Sequence, residues 1–143
     1  MNLNFNCKRQ EVSKGIWVNE PIIPVTLIGS NDRKLNFTAV LDSGSDFILL
    51  PKDVAEALEL EFDAKKQDKA KTYEGTELTT TLSKVKIEIR KGREQTNIEC
   101  RCAILLSEKY QHEHIIFGSS FFDNFRINFD FPKRKFEIKN KTN

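Results

Sequence analysis

Asp42-Ser43-Gly44 closes one apolar run, Phe37-Thr38-Ala39-Val40-Leu41, and stands just ahead of another, Phe47-Ile48-Leu49-Leu50. A buried strand that ends in a carboxylate on a tight Ser-Gly turn is expected to hold that carboxylate at a fixed angle and in a poorly solvated place. There such a group can be tuned as a general acid or base. The tripeptide occurs once, so chemistry that needs two such carboxylates must draw the second from another chain. The bland alternative is a turn aspartate that caps its own backbone.

Two other groups of residue types could do chemistry. Cys100-x-Cys102 and His112-x-His114 offer two thiols and two imidazoles, the donor set of a tetrahedral zinc site. The spacing is not that of the common zinc fingers. Cysteines two apart on a strand share a face, where they serve as small core residues and are badly placed for a mutual disulfide. The histidines flank Glu113 in a polar loop and read as solvated. No metal and no other cofactor is therefore expected. Lys133-Arg134-Lys135, with Lys139 and Lys141, is a basic cluster, but the chain's net charge is only +2. It reads as a solvated turn, with neither nucleic acid nor membrane as partner.

The elements that must position these residues are mostly strands. Pro21 to Ile28 and Leu35 to Leu41 read as strands around the turn Gly29-Ser30-Asn31-Asp32, and the second delivers Asp42. Pro51 to Leu60 is the one main helix, with Val54, Ala55 and Leu58 on its apolar stripe. Residues 63 to 77 are polar. Leu78 to Arg90 alternates with the period of a strand, turns at Lys91-Gly92-Arg93, and returns through Ile98 to Leu106. Ile115-Ile116-Phe117-Gly118 reads as a short buried strand. Ser119 to Asn124 reads as one helical turn. Phe125 to Phe131 and Lys135 to Ile138 form a last hairpin. The N-terminal Leu3, Phe5, Cys7 alternation suggests a strand, not a signal peptide. Leu3 and Phe5 could join Phe136 and Ile138 in a sheet, either within the chain or across a dimer.

The 143 residues, 38% hydrophobic and 31% charged, suit a single soluble domain over 1–143, with an N-terminal strand and loop at 1–20 and a frayed polar tail at 139–143. Three cysteines, Cys7, Cys100 and Cys102, suggest free thiols and a cytoplasmic setting.

Taken in order, these features resemble the retropepsin-like aspartic proteases, single-domain relatives of pepsin. The resemblance runs from about Pro21 to Ile138: strands leading to Asp42-Ser43-Gly44, the Pro51–Leu58 helix, a flap stretch Lys71-Thr72-Tyr73-Glu74-Gly75-Thr76-Glu77, a long hairpin, then Ile115-Ile116-Phe117-Gly118 and a short helix. Ser119 and Ser120 stand where that family often has arginine followed by Asp or Asn. The resemblance implies an all-β fold, a pepsin/retropepsin-like closed barrel half with one main α-helix, completed as a homodimer. It implies an aspartic endopeptidase whose water is activated by two Asp42 side chains, one per subunit. Ser43, Gly44 and Gly118 would support the active loop. Gly44, Asp46, Tyr73, Gly75 and Ile116 would meet a peptide or protein substrate; separately, the apolar character of Ile48, Leu50 and Ile116 suggests apolar subsites. The rivals are an inactive dimerisation or peptide-binding module on the same fold and a zinc-stabilised binding domain.

Overall fold

The computed structural model describes residues 2–71, 77–107 and 114–141. Tyr73, Gly75 and His112 lie outside the described residues. The chain forms β1 (Asn2–Asn6), β2 (Lys8–Ser13), β3 (Ile16–Glu20), β4 (Ile22–Ile28), β5 (Lys34–Leu41), β6 (Ile48–Pro51), α1 (Lys52–Ala57), β7 (Asp68–Lys71), β8 (Glu77–Lys91), β9 (Glu94–Leu105), β10 (Ile115–Phe117), α2 (Ser119–Phe122), β11 (Phe125–Asp130) and β12 (Lys135–Asn140).

The main sheet has seven strands in the order β4-β5-β10-β6-β9-β8-β7, and β4 pairs with β8 as well. Its centre is parallel where β10 lies along β5 and β6 along β9. Strands β6 and β10 are interior and read as continuous apolar runs, as strands buried on both faces do. The outer part is a long antiparallel hairpin of β8 and β9, turning at Gly92, whose φ of +61° is open to glycine without strain. Ile23, Val25, Leu27, Ala39, Leu41, Ile48, Leu50, Ile87, Ile104 and Phe117 fill the core.

Helix α1 is shorter than its apolar stripe predicts. It runs from Lys52 to Ala57, because Glu59 turns left-handed at φ +55° and closes the last turn. Ala55 and Leu58 are fully buried beneath it. Gly29 comes so close to the end of this helix that a Cβ there would lie 2.0 Å from the Leu58 carbonyl oxygen, and Ser30 N–H donates to that same oxygen at 3.0 Å.

The terminal sheet forms within one chain, in the order β1-β12-β11. Phe5 opposes Phe136 and Leu3 opposes Ile138, and all four side chains are buried. Of the two sequence readings for these residues, the in-chain one is realised. Lys139 and Asn140, expected in a frayed tail, pair with Arg126 and Phe125 in the last strand. Residues 8–20, expected as loop, form a separate two-stranded hairpin of β2 and β3. Among the described residues no helix is long and apolar enough to cross a membrane.

Candidate active site

Strand β5 ends at Leu41, and its pairing with β10 carries one residue further: Asp42 N–H donates to the Phe117 carbonyl at 2.9 Å. The chain then turns sharply. Ser45 N–H donates back to the Asp42 carbonyl at 3.2 Å, and Gly44 N–H donates to Asp42 Oδ1 at 2.9 Å. This is an Asx turn, in which the carboxylate fixes its own loop. A carboxylate has about four lone-pair sites, so one backbone bond leaves Oδ2 open to water or a shared proton.

The segment after β10 holds the loop from its other side. Gly118 lies so close that a Cβ would fall 2.3 Å from the Ser45 carbonyl oxygen and 2.8 Å from that of Phe47. Both of those atoms are backbone, so a side chain there would push the loop itself. Ser119 N–H donates to the Ser45 carbonyl at 2.8 Å, and Ser120 N–H to that of Asp46 at 3.1 Å. Ser120 Oγ accepts from Ile48 N–H at 3.2 Å and donates to the Arg101 carbonyl at 2.9 Å. Ser45 Oγ donates to the Phe47 carbonyl at 3.0 Å. The loop is therefore fixed by backbone groups and short hydroxyls. Among the described residues no salt bridge reaches Asp46.

Residues 23–121 match the sequence pattern of the aspartyl protease family. The chain belongs to that family. No curated protein matches it. The fold is similar to the crystal structure of a retropepsin-like aspartic protease from Rickettsia conorii, at 15% sequence identity and a TM-score of 0.49, covering 98% of this chain and 91% of that one.

The aspartyl protease pattern spans the whole Asp42 loop and ends at Phe121, just past Gly118. The structure brings Asp42, Ser43, Gly44 and Gly118 together around one turn. Two sequence expectations need correction. Asp42 was expected in a poorly solvated place, but Asp42, Ser43, Gly44 and Asp46 are all exposed on the single chain. The turn lies past the end of β5, beyond the layer that the core covers. Ile116, Ile48 and Leu50 were expected to face substrate, but Ile48 and Leu50 are fully buried and Ile116 is 7% exposed. Their strands are interior to the sheet, so these side chains serve packing. Sequence reasoning noted Ser119 and Ser120 only as departures and missed their grip on the loop. The one available signal was a pair of small polar residues directly after a glycine at a helix start.

The cysteines occupy a different environment. Cys100 and Cys102 lie on the core face of β9, both buried. Burial, with some help from the nearby Glu99 charge, pushes the Cys100 thiol up to about 11. Burial, with the neighbouring Cys100, pushes Cys102 up to about 12, although Ser83 opposes part of that shift. Metal binding needs thiolates, so such burial works against it. No cluster of metal-ligating side chains forms among the described residues. His114, the one histidine described, has its Nδ1 2.6 Å from Thr38 Oγ1. An open groove of about 520 Å³, lined in part by Ile28, Leu60, Leu82, Lys84 and Arg101, includes no residue of the Asp42 loop.

Proposed function

We propose that this chain is an endopeptidase that hydrolyses peptide bonds with a water activated by two Asp42 carboxylates, one from each subunit of a homodimer. The observation that carries this reading is the Asp42 turn itself. A carboxylate of the aspartyl protease family sits on a loop held from two sides, exposed, with no hydrogen bond to its Oδ2 among the described residues.

A single exposed aspartate has no means to activate a water and polarise a carbonyl at once. A second copy facing it supplies both needs. It covers the turn from solvent, and it adds a like charge a few ångströms away. Two carboxylates that close do not both ionise cheaply, so they share a proton. Paired aspartates of this class are the standard instance of that behaviour. The ionised member takes a proton from the water as it attacks the peptide carbonyl carbon. The protonated member donates to the carbonyl oxygen. The proton taken from water then passes to the leaving amine as the C–N bond breaks, and a hydroxyl of the tetrahedral intermediate returns a proton to the other carboxylate, which restores the singly protonated pair.

Ser43 would bond across the dimer and tie the two loops together. Gly44 and Asp46 would hold the substrate main chain, and Tyr73 and Gly75 would cover it. The pairing of β4 with β8 supports the closed barrel half. The three free cysteines fit a reducing, cytoplasmic compartment.

A second reading has one observation of its own. Asp42 Oδ1 already caps the loop through Gly44, as it would in a non-enzymatic dimerisation or peptide-binding module. Incubating the purified chain with a diverse peptide library from acidic to neutral pH separates the two. Cleavage that disappears in Asp42→Asn supports the protease. No cleavage by the wild-type chain at any pH overturns it in favour of the module.

A further inference from the structure

Strands β2 and β3 stand apart from the rest of the fold. They form their own two-stranded sheet, and none of residues 8–20 is buried. A lone hairpin is marginally stable in water at best and normally needs a surface to lie on. This one carries apolar side chains at its far end: Val12, Ile16 and Trp17 are 55%, 56% and 49% exposed. Ile16 and Val18 share one face, and Trp17 lies on the other, where the Arg9 guanidinium sits 4.9 Å from its ring centroid. That stacking orients the indole while leaving it open. The outer edges of both strands carry no partner strand among the described residues.

The root of the hairpin connects it to the active loop. Strand β3 ends at Glu20, and the very next residue, Pro21, accepts Leu41 N–H at 3.0 Å. Leu41 immediately precedes Asp42. The hairpin therefore springs from the end of β5 that presents the Asp42 turn. Its ladder, from Lys8↔Glu20 to Ser13↔Ile16, gives it a reach of about 17 Å at strand rise.

We propose that the β2–β3 hairpin is a dimerisation arm that lies against a second copy of this chain beside the Asp42 loop. The proposal rests on the homodimer reading above and names the surface that holds that dimer together. A stable interface takes about 800 Å² and some 20–30 residues from each partner. The turn from Asp42 to Asp46 is far too small to supply that. A partner that brings its own Asp42 to this one arrives at the root of the arm. Two-fold symmetry makes each arm count twice, once on each chain. The apolar tip and the stacked Trp17 have the composition of an interface anchor.

Trp17 is the only tryptophan in the chain, so its emission reports on the arm directly. The test compares the full-length wild type with the double substitution Ile16→Ser, Trp17→Ser by sedimentation equilibrium. It also follows wild-type Trp17 emission across the same concentration range. The wild type should dimerise, and its emission should shift to the blue as dimer forms. The variant's dimer dissociation constant should rise roughly 30-fold or more. Its thermal midpoint at high dilution should stay unchanged, because the arm lies outside the core. A variant that dimerises like wild type, or an emission maximum that stays constant through the dimer transition, overturns the arm alone. A wild type that cleaves peptides while remaining monomeric overturns the homodimer reading, and the arm with it.

Discussion

The Asp42 turn and the Cys100–Cys102 strand belong to the same seven-stranded sheet, and both carry residue types able to do chemistry. Their fates are opposite. Asp42 lies just past a strand end, exposed, with its backbone fixed from two sides. Cys100 and Cys102 lie within β9, on its buried face, with thiols held in the neutral form well above neutral pH. A sheet covers what its strands carry inward and presents what its strand ends deliver. Reactive residue types therefore matter less than their place along the strand. The contrast predicts that substitutions at the turn change activity more than stability, and that substitutions along the buried strand do the reverse.

The largest effect should come from Asp42→Asn. The amide oxygen of asparagine can still accept from Gly44 N–H, so the turn and the fold should persist. The proposed proton-transfer role would be lost, and peptide cleavage should fall by about 10²–10⁴-fold or more. Peptidase assays paired with thermal unfolding check this. A midpoint that falls by many degrees would show that Asp42 is chiefly structural, and the contrast would fail on the side that matters most.

Gly118→Ala should show the two properties coupled. The added methyl meets the backbone of Ser45 and Phe47, which cannot swing aside as a side-chain tip would. Overpacking of that kind costs about 1–3 kcal/mol. Because the displaced atoms belong to the Asp42 loop, activity should fall as well. Denaturant unfolding and cleavage rates of the same preparation measure both. An alanine variant with wild-type values in each would mean that the loop is not held from the β10 side.

Ser120→Ala tests the hydroxyl that bridges β6 and β9. Its loss leaves Ile48 N–H and the Arg101 carbonyl without their partner. An unsatisfied buried group costs about 1–3 kcal/mol, and the lower end applies to this half-buried site. Activity should change less than in Gly118→Ala, since Ser120 N–H still holds the Asp46 carbonyl. Equal activity losses in the two variants would assign the grip to the hydroxyl instead of the backbone.

The same contrast explains what could be read from the sequence. Strands β4, β5, β8 and β12 were legible because period-two alternation and turn residues mark a strand with one covered face. So was the order of Asp42, the helix and Gly118. Strand β6 was hidden in a continuous apolar run, which carries no period. Strand β7, Asp-Lys-Ala-Lys, and strand β2, Lys-Arg-Gln-Glu-Val-Ser, were hidden because their sequences are polar. Strand β2 has no buried residue, so no core writes a pattern into it. The exposure of Asp42 was not legible because solvation depends on what lies past the strand end. The grip of Ser119 and Ser120 was not legible because it is made largely by backbone N–H groups, which every residue but proline owns.

The smallest effect tests the buried side of the contrast by pH. The thiol of Cys102 lies near 9.0 in its ordinary state and is pushed up to about 12 in the fold. Between those values the folded chain keeps a proton that the unfolded chain gives up. Its contribution to stability is therefore complete below pH 9 and is lost as pH rises toward 12. Linkage sets the slope at no more than about 1.4 kcal/mol per pH unit for one thiol. Lysines and tyrosines titrate in the same range, so the informative quantity is a difference between proteins. From pH 8 to pH 10 the wild type should lose about 1 kcal/mol more than Cys102→Ala, whatever the variant's own baseline. Urea unfolding of both proteins at the two pH values, in reductant, gives that difference. Parallel losses would mean that Cys102 ionises as freely in the fold as out of it. The strand face would then be wet, the thiols would be open to metal and oxidant, and the distinction between the two regions of the sheet would disappear.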